Sequence, residues 1–217
     1  MQAVHTNRDQ TPILLVTRPV LWAALIHGVM HGITGLLYIP NYISQPHHDH
    51  LCSAIDALPW RGDLARRVQH YGYVYDYRAR RVDQSAFLGP LPSWLSRISR
   101  QLHADGLTLK EPDQAIVNEY SPGQGIASHI DCEPCFGGII VSLSLLSPVV
   151  MDLRRGQKHV PILLEPRSLL VLRGEARHQW THGIARRKED PWDQNAFTRS
   201  RRVSITFRNV LIHDAGP

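Results

Sequence analysis

The second half of this chain constrains its fold most. From residue 114 onward, short β-rich runs follow one another at 115–120, 139–146, 149–153, 160–164, 168–173 and 203–211, separated by glycine, proline and polar turns. A parallel sheet needs a crossover of a dozen or more residues, usually a helix, between successive strands, and these gaps carry no helical pattern. The succession therefore predicts an antiparallel sandwich or jelly roll and excludes a doubly wound nucleotide-binding sheet. Upstream the period changes. Residues 48–58 place Leu51, Ala54, Ile55 and Leu58 on one helical face, and 91–102 do the same with Leu91, Leu95, Ile98 and Leu102. These read as amphipathic helices covering a sheet. The fold class expected is mostly β with flanking helices (α+β).

The chain has 217 residues, 43% of them hydrophobic, which suits one sizeable core. Residues 32–217 are expected to form that domain and residues 1–31 an N-terminal extension, helical around 21–30, with Met30 a candidate natural start. The apolar stretch at 20–39 carries His27, His31, Thr34 and several glycines, so it does not read as a membrane span. Lys plus Arg exceed Asp plus Glu by 24 to 19, and the only lysines are Lys110, Lys158 and Lys188. An excess carried by arginine points to anionic partners, because the guanidinium fork matches phosphate and carboxylate. Three cysteines build no disulfide framework, which suggests a reducing compartment: the cytoplasm, or the nucleus of a eukaryote. Cys132-Glu-Pro-Cys135 is half a zinc site without a second pair, and is read as coincidence, with a disulfide between the two thiols or their oxidative damage as the alternatives. A monomer is expected.

Two local patterns carry chemistry. In His129-Ile130-Asp131, an extended backbone turns the imidazole and the carboxylate to one side. One further histidine would complete the two-His, one-carboxylate facial triad of non-haem Fe(II), which leaves positions open for cosubstrate and oxygen. The downstream candidates are His159, His178, His182 and His213. The second pattern is Arg202-Val-Ser-Ile-Thr-Phe-Arg208, a strand whose apolar face is Val203, Ile205 and Phe207, continued by Leu211. Its other face carries Arg202, Ser204, Thr206 and Arg208. Turned inward, that face would bind a dianion such as a dicarboxylic acid. The two guanidiniums stand roughly 20 Å apart along a straight strand, so both reach one small ligand only by leaning inward or through curvature.

Asn118-Glu-Tyr120, His129-Ile-Asp131, Trp180-Thr-His182-Gly-Ile and Arg202-x5-Arg208 stand in the order found in the AlkB family of Fe(II)/2-oxoglutarate-dependent dioxygenases, which the chain resembles from about Gly32 to Val210. The resemblance implies a double-stranded β-helix (jelly roll) and an enzyme using Fe(II), the cosubstrate 2-oxoglutarate and O2. It implies His129, Asp131 and His182 as iron ligands and Asn118 and Tyr120 as hydrogen-bonding partners of 2-oxoglutarate. Arg202 would pair with the distal carboxylate beside Ser204, and Arg208 would support the metal-proximal end. The implied reaction is oxidative demethylation of N-alkylated bases such as 1-methyladenine and 3-methylcytosine in DNA or RNA, a repair activity. Stretches such as Val68-Gln-His-Tyr-Gly-Tyr and Thr181-His-Gly-Ile-Ala-x-Arg-Lys are similar to the branch with tRNA-modifying eukaryotic members. Hydroxylation of a modified tRNA nucleoside is thus the alternative enzyme reading. A catalytically inactive nucleic-acid-binding module is the alternative from another class.

On the substrate side, Tyr71, Tyr73, Tyr75 and Tyr77 alternate as on one strand face. Tyr75 and Tyr77 match the segment that covers a flipped base in the repair relatives. Stacking on such a base is worth about 1–3 kcal/mol. Tyr71 and Tyr73 are expected to be packing partners. Glu133, two residues after Asp131, resembles a base-reading acid and would favour cationic lesions. Arg78, Arg80 and Arg81, with Arg186, Arg187 and Lys188, are candidates for holding phosphates near the site mouth.

Overall fold

A computed structural model of the chain describes residues 29–62 and 65–212. The expected N-terminal helix, apart from its last two residues, and His213 lie outside the described residues. Val29–Met30 (β1) pairs with Ile33–Thr34 (β2), so this small hairpin straddles the expected domain boundary after residue 31. Leu36–Ile39 (β3), the helix Gln45–Asp56 (α1), Arg67–Tyr71 (β4), a single 3-10 turn at Gln84–Ala86 and the helix Ser93–Ala104 (α2) follow. Ten strands then run to Arg208: Gln114–Tyr120 (β5), Ile126–His129 (β6), Ile139–Leu146 (β7), Val149–Arg155 (β8), Lys158–Leu164 (β9), Leu169–Arg173 (β10), Thr181–Ile184 (β11), Glu189–Trp192 (β12) and Asn195–Thr198 (β13), with Arg202–Arg208 (β14) closing the series. A one-turn helix, Gly174–His178 (α3), stands between β10 and β11. No helix among the described residues is long and apolar enough to cross a membrane.

The strands form an antiparallel jelly roll with flanking helices. A six-stranded sheet in the order β3-β10-β7-β14-β5-β4 faces a four-stranded sheet in the order β6-β11-β8-β9. Period-two alternation divides the large sheet into two faces. Ala115, Val117, Val141, Leu143, Leu145, Leu169, Val171, Val203, Ile205 and Phe207 join one buried cluster with Leu51 and Ile55 of α1 and Leu95, Ile98 and Leu102 of α2. Each aliphatic side chain so buried is worth about 1.5–3 kcal/mol. The residues between them, including Asn118, Tyr120, Ser142, Arg202, Ser204, Thr206 and Arg208, face the small sheet and line a cavity. The helices thus cover one face of the large sheet, and the polar set occupies the other.

Two expectations are corrected. β14 ends at Arg208, short of 211, because Val210 N turns to the Asp113 carboxylate at 2.7 Å and Gly137 N takes Asn209 O at 2.9 Å. Leu211 is consequently exposed. Nor do the four tyrosines share a face. The strand breaks at Gly72, whose φ is +76° and where a Cβ would fall 1.9 Å from Asp113 O. Tyr71 then packs edge-on against Trp94 on the helix side, whereas Tyr75 and Tyr77 meet edge-on at 4.9 Å over the cavity.

Candidate metal and cosubstrate site

β6 and β11 pair so that His129 lies directly across from His182, their ring centres 4.5 Å apart. Gly183 permits this approach: a Cβ there would sit 2.9 Å from Ser128 Cα and N. The glycine of Trp-Thr-His-Gly is thus a packing requirement of the strand pair. Just beyond β6, Asp131 brings its Oδ2 to 3.4 Å from His182 Nε2. One ligand atom from each of His129, Asp131 and His182 lies within 4.8 Å of the others, the only such cluster among the described residues. His129 Nδ1 donates to Ala127 O at 2.8 Å, which leaves Nε2 with a free lone pair.

Charge around the triad favours the metal-binding protonation states. Burial pushes the Asp131 carboxyl up, but Arg208, His182, His129 and Arg177 together outweigh it and hold the group at about 2. Burial pushes His182 down to about 4 against the opposing pull of Asp131. An ionised carboxylate and a neutral imidazole are the forms that ligate a divalent ion. Arg208 contacts Asp131 Oδ1 directly and lies 4.5 Å over the Phe136 ring. Asp131 Oδ2 has no hydrogen-bond partner, so one carboxylate oxygen is braced and the other is left for an ion. Arg177, fully buried, donates from Nη1 to Asp131 O at 3.0 Å and fixes the turn that carries the ligand. That role is not visible in sequence, where Arg177 is one of many arginines.

The cavity beside the triad has a volume of about 620 Å³. In the pairing of β14 with β5, Arg202 stands across from Tyr120 and Ser204 across from Asn118, and all four line the cavity. Arg202 is 3% exposed and donates Nη2 to Ser144 Oγ at 3.1 Å, while its Nε and Nη1 have no partner. Burial pushes this guanidinium down to about 10. A buried cation with two unmet donors suits a carboxylate held in a fork. Arg208 serves the metal end and Arg202 the other, so the strand's length separates two roles and no longer argues against a single small ligand. The site fits Fe(II) at the triad and a dicarboxylate between it and Arg202.

Of the substrate-side candidates, Tyr75 and Tyr77 line the cavity, Tyr75 also against Phe136 at 5.4 Å. Glu133 does not line it. Its carboxylate is exposed and lies 2.5 Å from His178 Nδ1, so each occupies the other outside the site. His159 is likewise taken, by Asp152 at 2.6 Å. Arg80 and Arg66 line the cavity; sequence reasoning missed Arg66. The cysteine pair is also corrected. A turn in which Cys135 N and Phe136 N bond Cys132 O brings the two Cα atoms to 5.2 Å, and Cys132 and Cys135 form a disulfide. Both sulfurs lie 3.3 Å from Arg80 O, so the pair underlies the loop that carries Tyr75 and Tyr77.

The 2OG-Fe(II) oxygenase superfamily profile matches residues 35–208. The chain is 37% identical to the Alkylated DNA repair protein ALKBH8 homolog of Arabidopsis thaliana, over 84% of this chain and 60% of that protein. It is 36% identical to the tRNA (carboxymethyluridine(34)-5-O)-methyltransferase ALKBH8 of Mus musculus, over 81% of this chain and 30% of that protein. It therefore spans less than two thirds of either relative. The solved structure of OsALKBH1 superposes with a TM-score of 0.61 at 19% identity, covering 81% of this chain and 96% of that one, a likeness of fold. The chain belongs to the 2OG-Fe(II) oxygenase superfamily, in its AlkB branch, and is a dioxygenase that uses Fe(II), 2-oxoglutarate and O2.

Proposed function

We propose that this enzyme hydroxylates a modified nucleoside of tRNA, with iron on His129, Asp131 and His182 and 2-oxoglutarate between that metal and Arg202. Asn118, Tyr120 and Ser204 hydrogen-bond the cosubstrate, and Arg208 holds Asp131 in place. When bound, the iron and 2-oxoglutarate supply oxygen activation coupled to release of succinate and CO2. The protein's own groups orient the ligands, neutralise the cosubstrate's distal charge and cover the substrate base with Tyr75 and Tyr77.

The charge of the cavity lining carries this choice. Apart from the triad, its charged residues are Arg66, Arg80, Arg202 and Arg208. The acid expected to attract cationic lesions, Glu133, is turned away to His178. A cationic 1-methyladenine or 3-methylcytosine would meet arginine at the mouth, whereas a neutral or acidic base substituent would be welcomed there. The mouse relative's name refers to carboxymethyluridine in tRNA, a base with such a substituent. Its methyltransferase activity belongs to a protein more than three times the length matched, and is not proposed here.

The test supplies iron-loaded enzyme with 2-oxoglutarate, O2 and either total tRNA or oligonucleotides carrying 1-methyladenine or 3-methylcytosine. The expected result is gain of one oxygen atom on a tRNA nucleoside, read by mass spectrometry, without formaldehyde. Formaldehyde release from the methylated oligonucleotides, with unchanged tRNA, would restore the demethylase reading.

A further inference from the structure

Arg66 lines the cavity beside Tyr77, Asn118 and Tyr120. Its Nε donates to Asn118 Oδ1 at 2.9 Å, and its guanidinium carbon lies 5.7 Å from the Tyr77 ring centre and 5.9 Å from that of Tyr120. It reaches there from Ala65-Arg66, just before β4, whose Val68 pairs with Asn118. Gln124 Nε2 donates to Ala65 O at 2.6 Å and anchors the approach.

The chemistry of this contact fixes an orientation. A side-chain amide has a donor end and an acceptor end that often exchange at little cost. A guanidinium carries only donors, so the end of Asn118 facing Arg66 must be the oxygen. The amide's Nδ2 is thereby turned the other way. Asn118 is 7% exposed and lines the cavity, and its Nδ2 donates to no other described residue. The NH2 so directed is a donor available to an acceptor supplied from outside the protein.

We propose that Arg66 is a positioning residue that locks the Asn118 amide so that its Nδ2 donates to 2-oxoglutarate, while the Tyr77 and Tyr120 rings hold the guanidinium in place. This rests on the reading that 2-oxoglutarate occupies the cavity, and adds a residue that acts on the cosubstrate only through another side chain. Without Arg66 the amide is free to flip and present its oxygen to an oxygen of the ligand. The positive charge alone cannot perform this task. Arg66→Lys keeps the charge but loses the planar guanidinium whose Nε reaches Asn118 from between two rings.

A double-mutant cycle on the full chain tests this. Anaerobic Fe(II)-loaded protein is titrated with 2-oxoglutarate, followed by the visible charge-transfer absorption of the iron–2-oxoglutarate complex. Arg66→Ala, Asn118→Ala and the double variant are compared, with Fe(II) affinity measured separately. Each single change is expected to weaken 2-oxoglutarate about tenfold, and the pair also about tenfold rather than about a hundredfold, because one route is cut twice. Fe(II) affinity should hold in all three, and Arg66→Lys should behave like Arg66→Ala. Additive losses, or full rescue by lysine, would overturn the proposal and leave Arg66 a general attractor of anions. No 2-oxoglutarate binding by the unsubstituted enzyme would overturn the cavity assignment itself, and this proposal with it.

Discussion

Replacing Arg202 with methionine separates a binding residue from a structural one, because the two roles predict opposite signs. The guanidinium is fully buried, with one neutral partner, Ser144 Oγ, and two donors unmet. Its burial lowers its pKa from the usual arginine range to about 10, a difference worth about 3 kcal/mol of cost to the charged form in the ligand-free protein. Methionine fills similar volume without charge, and such replacements of buried ions are often neutral or stabilising by about 1–4 kcal/mol. The ligand-free Arg202→Met protein should therefore melt no lower than the parent, and up to roughly 5–10 °C higher. Cosubstrate binding should move the other way. Hydrogen bonds to a charged partner contribute about 1.5–3 kcal/mol each, so loss of a forked pair should raise the 2-oxoglutarate Kd by at least about 100-fold. Thermal denaturation of the metal-free protein and anaerobic titration of the iron form read the two effects independently. A large drop in Tm with unchanged 2-oxoglutarate affinity would refute the reasoning and make Arg202 a structural arginine.

Further outcomes follow from the same geometry. Asp131 is buried against Arg208, so Asp131→Ala bears on the fold as well as on the iron site. The change should cost about 3–5 kcal/mol of stability in denaturant titrations as well as abolish iron binding, because Arg208 is left charged and unpaired. His182 bears on pH. Its folded pKa, near 4, lies below the unfolded value of about 6.5, so the metal-free protein should be fully stable above that range and lose stability as pH falls toward 4, where only the unfolded chain takes up the proton. Urea midpoints at pH 7 and pH 5 should differ less in His182→Gln than in the parent. Glu133→Gln should leave turnover on every nucleic-acid substrate within about twofold, since the carboxylate is exposed on His178; a selective loss on cationic bases would return Glu133 to the substrate site.

The sequence was most legible where one period ran without interruption. β7 keeps the expected bounds, and β14 shows both of its faces in its alternation because Val203, Ile205 and Phe207 pack on helices while Arg202, Ser204, Thr206 and Arg208 face inward. His129 and Asp131 were visible through spacing, and His182 became distinguishable from His178 and His159 through its local motif. The structure supplies a physical basis for that choice: the other two are held by Glu133 and Asp152. What stayed hidden depends on contacts distant in sequence. Arg66 meets Asn118 across 52 positions and Arg177 meets Asp131 across 46, and no local pattern marks either arginine. The tyrosine stripe misled because a single left-handed glycine, Gly72, ended the strand within it.

The most direct test of the account is an anaerobic crystal structure of the enzyme with Fe(II) and 2-oxoglutarate, with iron located by anomalous scattering. The account predicts iron bound by His129, Asp131 and His182, and the distal carboxylate of 2-oxoglutarate in the fork of Arg202, with Asn118 Nδ2 facing the ligand. Iron away from that triad, or a cosubstrate whose distal carboxylate sits on Arg66 or Arg208 instead, would contradict it.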